Sequence, residues 1–337
     1  MLLILSEKGD LSTNDVIDWL INLNVPFARL NYDEHEGVEL LVESNETGIS
    51  CTVRTKTHTF SLSEVTAYWY RRGGVPQFKI PALSVDKAFE EKISVKIKEY
   101  LDLESRILYE FLHDYLDKVP NKIGSRDKAG VNKLIVLQKA QELGLKTPKW
   151  SVSMKTSDTK DFIDRAGGKV ITKGIWESLI ASTPTSGYST YTELISMEKM
   201  NDFPSKHFPS MLQENVVKKY EVRTFYLLGR IWSMAIFSQN DPQTTIDFRK
   251  YNDEKPNRNV PFKLPDDVEQ KLTKLMNFLE LETGSIDFLV DENDEFIFLE
   301  VNPVGQFGMT SSPCNYYLEK EIANHFYTLN NGVNEKI

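Results

Sequence analysis

The sequence predicts an α/β protein, α+β in the order of its pieces, and three observations predict it. The N-terminus reads strand, helix, strand: "LLIL", then "STNDVIDWLINLN", then "PFARLN". Amphipathic helical stretches alternate with apolar, β-branched and aromatic runs along the rest of the chain. Residues 285 to 303, "SIDFLVDENDEFIFLEVNP", place two such runs around the polar turn Asp291-Glu292-Asn293-Asp294, the pattern of a hairpin.

The elements follow in order. Ser12 or Thr13 is placed to cap the first helix. "ISCTVRTKTHTFSLSEVTAYWYRRGG" alternates enough for several strands, and Lys87 to about Lys118 is helical. A second helix opens at Lys133 and closes at Gly144, with Pro148 beyond it. Residues 150 to 198 read as short strands with a flexible loop, and 208 to 237 as two strands joined by a turn. The helix "DDVEQKLTKLMNFLELE" precedes the hairpin. There is no internal repeat and no low-complexity tract. The 337 residues suit two or three domains, with boundaries near 118 and 205.

Composition narrows the function. With 40% hydrophobic and 26% charged residues, the balance is that of an ordinary globular protein with a sizeable core. A net charge of -9 argues against a nucleic-acid partner. No apolar run approaches a bilayer span, and the apolar start "MLLIL" is too short for a signal peptide. Cys51 and Cys314 are far apart and form no CxxC, and the five histidines show no zinc spacing, so a reducing cytoplasm is the expected setting.

The hairpin carries the first chemical signal. Side chains alternate along a strand, so Ile286, Phe288 and Val290 share one face and Asp287 and Leu289 the other. By the same alternation Phe298, Glu300 and Asn302 oppose Ile297, Leu299 and Val301. A two-residue loop at Asn293-Asp294 places Asp287 across from Glu300. Two carboxylates so close repel unless a cation or proton joins them, and an all-oxygen set with Asn302 suits a hard cation such as Mg²⁺. The plain alternative is an exposed edge hairpin with scattered acids.

Neither a Walker A motif nor GxGxxG is present. A nucleotide pocket would need other parts: Lys133; Lys173, at the end of "KVITKG"; the hydroxyl-rich "ASTPTSGYSTYT" at 181 to 192, suited to a mobile cover over phosphates; and Glu214 and Glu221 in "MLQENVVKKYEVRTFYLLGRI". Taken singly, the plainer reading of each is favoured: solvated lysines, an ordinary surface loop and edge glutamates.

Together they resemble a family. The order Lys133, Lys173, hydroxyl-rich loop, "QENVV", Glu221, Asp287, Glu300-x-Asn302 is similar to the ATP-grasp fold over about 120 to 325. "WYRRGG" (69 to 74), "DFRKYN" (247 to 252), "PNRNVPFKLP" and "FLEVNPVGQFG" resemble the ATP-grasp ligases that mature graspetides, most closely the peptide maturase of grasp-with-spasm systems. Graspetides are ribosomally made peptides cross-linked through side-chain esters or amides. The resemblance implies an N-terminal pre-ATP-grasp domain at 1–118, a central subdomain at 119–205 and a C-terminal subdomain at 206–337 that holds the metals.

It also implies roles. Lys133 and Lys173 contact ATP phosphates; Glu214 and the backbone near Val216 read adenine; Glu221 binds ribose. Asp287, Glu300 and Asn302 hold two Mg²⁺, with Glu300 bridging. Arg223 and Arg249, with Lys173, face the γ-phosphate or acyl phosphate, while Arg71 and Arg72 are divided between substrate and structural roles. ATP activates an Asp or Glu side chain as an acyl phosphate, which a Thr or Ser hydroxyl attacks; positioning and charge neutralisation suffice, and no enzyme nucleophile is needed. The implied partner is a precursor peptide with a leader, docked on about 150 to 205 near "SMEKMNDFPSKHFPS", and a core carrying Thr or Ser with Asp or Glu. A homodimer is left open. The rival readings are an amide ligase adding amino acids to a small acceptor or protein tail (RimK-like), and a nucleotide-binding module or small-molecule kinase.

Overall fold

Leu2–Ser6 forms strand β1 and is buried along its whole length, as expected of a parallel strand covered on both faces. The structure is a computed structural model that describes residues 1–34, 38–46, 48–56, 58–74, 87–176, 180–183, 186–190, 192–239 and 257–332. The chain divides into two compact units, Met1–Gly130 together with Tyr317–Ile337, and Val131–Tyr316. Among the described residues no helix is long and apolar enough to cross a membrane.

In the first unit β1 is followed by α1 (Leu11–Asn22) and β2 (Phe27–Asn31). A small antiparallel sheet comes next, made of β3 (Glu39–Asn45), β4 (Gly48–Arg54) and β5 (Thr59–Ser61). Then come β6 (Ala67–Tyr70), the long helix α2 (Lys87–Asp117) and β7 (Asn121–Ile123). The main sheet is parallel throughout, in the order β2-β1-β6-β7. Because β7 pairs with β6, residues 119 to 130 belong with this unit, beyond the expected boundary near 118. The C-terminal helix Leu318–Asn331 also returns here, with Phe326 against Trp69 and Lys320 over the Trp19 ring. Leu3, Leu5, Leu30, Tyr68, Leu112 and Leu116 form its core.

The helix cap differs from expectation. α1 starts at Leu11, so Ser12 and Thr13 lie inside its first turn, and their hydroxyls donate to Asp10 at 2.6 and 3.0 Å. Asp10 also meets Arg71 Nε at 3.1 Å, and Arg71 Nη2 donates to Ser12 at 3.0 Å. Burial raises the Asp10 carboxyl, but Arg71, Ser12, Thr13 and Arg72 together bring it below the usual range. Burial likewise pushes Arg71 down to about 10 against the pull of Asp10. Arg71 is 1% exposed, which makes its role structural; Arg72, nearer the surface, pairs with Glu7 at 3.0 Å.

The second unit begins with α3 (Lys133–Glu142), capped by Asn132, whose side chain accepts from the N–H groups of Leu134 and Ile135. Gly144 ends it at φ +81°, a left-handed position that glycine adopts without strain. Next come β8 (Trp150–Lys155), α4 (Thr156–Arg165), β9 (Val170–Lys173), the short hairpin β10 (Ile180–Ser182) and β11 (Gly187–Ser189), β12 (Glu193–Ile195) and β13 (Lys206–Glu214). Helix α4 falls where only strands and a loop were expected. Its buried Thr159, Phe162 and Ile163 recur at helical spacing, but ten residues are too few for that period to stand out. The sheet order is β12-β9-β13-β8, so this layer runs through Glu214, past the expected boundary near 205.

The chain continues through β14 (Lys218–Leu227), β15 (Arg230–Phe237), β16 (Arg258–Phe262), α5 (Asp266–Phe278), β17 (Thr283–Asp291), β18 (Phe296–Asn302) and α6 (Gly308–Cys314). Three strands, β13 to β15, replace the two expected over 208 to 237. The last sheet runs β16-β15-β14-β17-β18, antiparallel throughout, with Leu272, Leu275 and Met276 of α5 and Val136 and Leu137 of α3 in the core on one of its faces.

A buried ion pair broken on one side leaves an uncompensated charge. Arg71→Met should therefore destabilise the first unit by about 3–5 kcal/mol. Urea denaturation measures it; an unchanged midpoint would place Arg71 outside the structural network.

Candidate functional site

Three neighbouring strands present one charged row. Arg223 of β14 pairs with Asp287 of β17, and Asp287 with Glu300 of β18. On the same face Glu221 lies across from Leu289, and Asn302 across from Ser285. The opposite face is apolar, with Val222, Ile286, Phe288, Val290, Phe298 and Val301 in the core. The expected Asp287–Glu300 pairing is present, but it is reached by another route. The turn spans three residues: Asp291 N–H donates to Glu295 O at 3.1 Å, the Asp291 carboxylate accepts from the N–H groups of Asn293 and Glu295, and Asp294 is left-handed at φ +62°. That turn aligns Phe288 with Phe298, and a bulge at Leu299 then brings Glu300 opposite Asp287. Phe298 therefore lies in the core, its ring 5.7 Å from Phe288, and Ile297 takes the site face. Strict alternation puts them the other way round.

Five charges meet here. Lys133, at the start of α3, and Lys173, at the end of β9, approach the same Glu300 oxygen at 3.4 and 3.6 Å. Arg223 Nη1 donates to both oxygens of Asp287 at 2.8 and 2.6 Å. Burial pushes the Lys173 ammonium down, with the attraction of Glu300 opposing it. Three cations face two carboxylates, so the cluster carries one excess positive charge. The Nε of Arg223 and the side-chain N of Gln213 are buried without a hydrogen-bond partner among the described residues. Gln213 pairs across β9 with Ile171, on the sheet face that also carries Lys173. Unsatisfied buried donors beside an excess of positive charge fit an anionic, acceptor-rich ligand.

The strand entering the link from β13 to β14 carries Glu214. Its Oε2 accepts from the Lys149 N–H at 3.2 Å, and its carbonyl accepts from the Val216 N–H at 3.2 Å. Glu221 is buried and paired with Lys218, and Ser238 donates to it at 3.0 Å. Burial raises its carboxyl, with Lys218 acting against that. Lys218 and Gln213 escape a reading of the sequence. Lys218 and Glu221 are three apart, which opposes them in a regular strand, and only the irregular register after Lys218 lets them meet. Arg249 and "DFRKYN" lie outside the described residues, as do 184–185 and 191 of the hydroxyl-rich stretch.

Asn302 closes β18. Its Oδ1 accepts from the Val304 N–H at 3.2 Å, and its carbonyl from the Gly305 N–H at 3.1 Å. Gly305 has φ +66°, and a Cβ there would stand 2.5 Å from Thr283 Oγ1, so this turn requires glycine.

No protein-family model matches the sequence, and no curated protein does. Solved structures do. A RiPP-associated ATP-grasp ligase of Chryseobacterium gregarium, in complex with ADP and a leader and core peptide, is similar at a TM-score of 0.80 and 21% identity, over 99% of this chain and 97% of that one. The chain has the ATP-grasp fold. The macrocyclase MdnC of Microcystis aeruginosa MRC, bound with precursor peptide MdnA, reaches 0.75 at 24% identity, over 96% of this chain and 98% of its own. The ATP-grasp ligase PsnB, complexed with a phosphomimetic variant of its minimal precursor, Mg and ADP, reaches 0.70 at 14% identity, over 97% and 98%.

Within this ATP-grasp chain the donor set fits a hard cation: two carboxylates and an amide oxygen on one sheet face. Among the described residues no cluster of three His, Cys, Asp or Glu side chains forms; Asn302 lies one pair further along the face that carries Asp287 and Glu300.

Two outcomes test the site. Asp287→Asn and Glu300→Gln should each lower ATP turnover by at least about a hundredfold at saturating Mg²⁺ with circular dichroism unchanged; wild-type turnover in either would remove the pair from the site. Lys173→Ala should weaken binding of a nonhydrolysable ATP analogue by about tenfold or more, and Lys169→Ala, whose side chain is exposed, should leave it unchanged. Equal effects in calorimetric titrations would contradict the assignment.

Proposed function

We propose that the protein is an ATP-dependent carboxylate ligase that activates Asp or Glu side chains of a ribosomal precursor peptide and joins them to Thr or Ser hydroxyls as esters. The convergence of Lys133 and Lys173 on Glu300, beside the Arg223–Asp287 pair, carries this reading. Full-length similarity to ligases and a macrocyclase solved with precursor peptides supports the peptide substrate.

In this reading Lys133 and Lys173 bind the triphosphate, Glu214 and the backbone at Val216 hold adenine, and Glu221 holds ribose. Asp287, Glu300 and Asn302 would hold the Mg²⁺ ions. Bound Mg²⁺ neutralises phosphate charge. Relieved of Glu300, the two lysines turn to phosphate oxygens, and Arg223 faces the transferring group. A peptide carboxylate oxygen attacks the γ-phosphorus and ADP leaves. A Thr or Ser hydroxyl attacks the activated carbonyl and loses its proton, and phosphate leaves. The balance is ATP to ADP and phosphate, with one water lost from the peptide.

The leader docks on residues 150 to 205 and the strand after them. Exposed Met154, Phe203 and Phe208 offer it apolar contacts, Phe208 at 86% exposure. Docking raises the effective concentration of the core to about the millimolar range. The cytoplasm is the setting we assign, with Cys51 and Cys314 as free thiols.

Incubation with a candidate precursor peptide that carries a leader and Thr or Ser with Asp or Glu, together with ATP and Mg²⁺, is the test. ADP release should require the peptide, and mass spectrometry should show losses of whole waters that mild base reverses. Base-stable losses would point to amide formation, and peptide-independent turnover to a small-molecule ligase. A core supplied without leader should react at least about tenfold more slowly than the joined precursor.

A further inference from the structure

Gln213 sits mid-sheet on a face that is otherwise apolar up to Lys173. In β13 it pairs with Trp150 of β8 on one side and with Ile171 of β9 on the other. Residues directly opposite each other on antiparallel strands share a face, so Trp150, Ile171, Met211 and Lys173 are its neighbours there. Met211 belongs to the main core of the second unit, and Trp150 packs against that core. Leu212, next along the strand, faces the other way and packs with Phe162 and Ile163. Gln213 is 1% exposed, and its side-chain N has no hydrogen-bond partner among the described residues.

A buried amide donor without an acceptor costs stability that a methionine of similar size would not. Such a donor points to an acceptor that arrives with a ligand. Its place in the strand says which part of the ligand. Glu214, the next residue, opens the link whose backbone holds adenine in the proposed reading. On β9, two residues beyond its partner Ile171, stands Lys173, which binds phosphate in that reading. Gln213 thus lies between the base end and the phosphate end of the site. A strand link offers backbone N–H and C=O groups that match N1 and N6 of adenine. The edge left over carries N7 and the second hydrogen of N6, and it lies on the side of the 5′-phosphates. A carboxamide fits that edge in both senses: its N–H donates to N7, and its oxygen accepts from N6. Guanine has O6 in place of N6, which would set two acceptors face to face.

We propose that Gln213 reads the N6/N7 edge of adenine and selects adenine over guanine in the nucleotide site. The inference rests on the nucleotide site of the proposed ligase and is independent of its peptide substrate. It also gives a reason for a polar residue in an apolar setting: the donor is left open in the free protein and is completed by the base.

Calorimetric titration of the full chain with ADP and Mg²⁺ tests this, set against 7-deaza-ADP, in which a C–H replaces the N7 acceptor. The wild type should bind ADP at least about tenfold more tightly than 7-deaza-ADP, and GDP more weakly than ADP by at least as much. Gln213→Met should lose about tenfold in affinity for ADP and bind ADP and 7-deaza-ADP alike. Lys173→Ala should bind both more weakly and keep the preference between them. Without nucleotide, Gln213→Met should melt at or above the wild-type temperature, because it removes an unsatisfied donor; a lower melting point would make the residue a structural one and overturn the proposal. Equal binding of ADP and 7-deaza-ADP by the wild type, a comparison that needs no variant to fold, would also overturn it. So would a preference that survives Gln213→Met. An N7 preference in a chain that modifies no peptide would uphold Gln213 and sink the peptide reading, whereas a chain that binds no ADP would sink both.

Discussion

The bulge at Leu299 is the constraint on which the site depends. The three-residue turn pairs Phe288 with Phe298; if that register continued, Asp287 would face Leu299 and Glu300 would be turned into the core. A shift of one residue exchanges the two faces of a strand. One extra residue in β18 restores the order, and it lets a single strand send Phe298 into the core and Glu300 to the site within three positions. The cost is local, one unpaired residue in the ladder. The gain is a carboxylate row backed by an apolar sheet face, where packing of Phe288, Phe298 and Val301 holds the strands that carry it.

That row is balanced to receive something negative. Each carboxylate already has cationic company: Asp287 is gripped by Arg223, and Glu300 is shared by two lysines from different elements. Sharing matters. Two ammonium groups around one carboxylate oxygen repel each other, and burial of Lys173 sharpens that repulsion. A polyanion arriving with its own counter-cations would relieve the lysines and occupy the carboxylates together. The same logic accounts for the buried Arg223 and Gln213 donors left without partners among the described residues. Such groups are costly unless a ligand completes them.

Charge is used differently in the first unit. Arg71 and Asp10 are closed off from solvent and paired with each other, and Arg71 Nη2 donates to Ser12, so they brace the carboxyl ends of β1 and β6. The arginines of "WYRRGG" thus diverge in role though adjacent: Arg71 lies inside this brace, and Arg72 at its rim against Glu7. A bracing pair has matched charges and little exposure, whereas the Glu300 cluster is unmatched. This contrast in net charge, more than burial alone, separates the structural cluster from the chemical one.

Much of this was legible in the residues. The first strand–helix–strand, the long helix to 117, the capped helix at Lys133 and the carboxylate hairpin all follow from local periodicity and turn chemistry, which neighbouring residues decide among themselves. The pairing of Asp287 with Glu300 was expected from a two-residue turn; the structure reaches it instead through a three-residue turn and the bulge at Leu299. Three things were not legible. Helix α4 was too short for its period to show. The faces of Ile297 and Phe298 depended on a bulge that alternation cannot announce. The choice of partner for Arg71, Lys133 and Lys173 lay with residues far along the chain, brought near only when sheets and helices pack. The sequence by itself determined which groups were available and which elements would carry them; the tertiary structure decided which charges face each other, because opposite charges distant in sequence meet only where burial of the apolar faces brings their strands together.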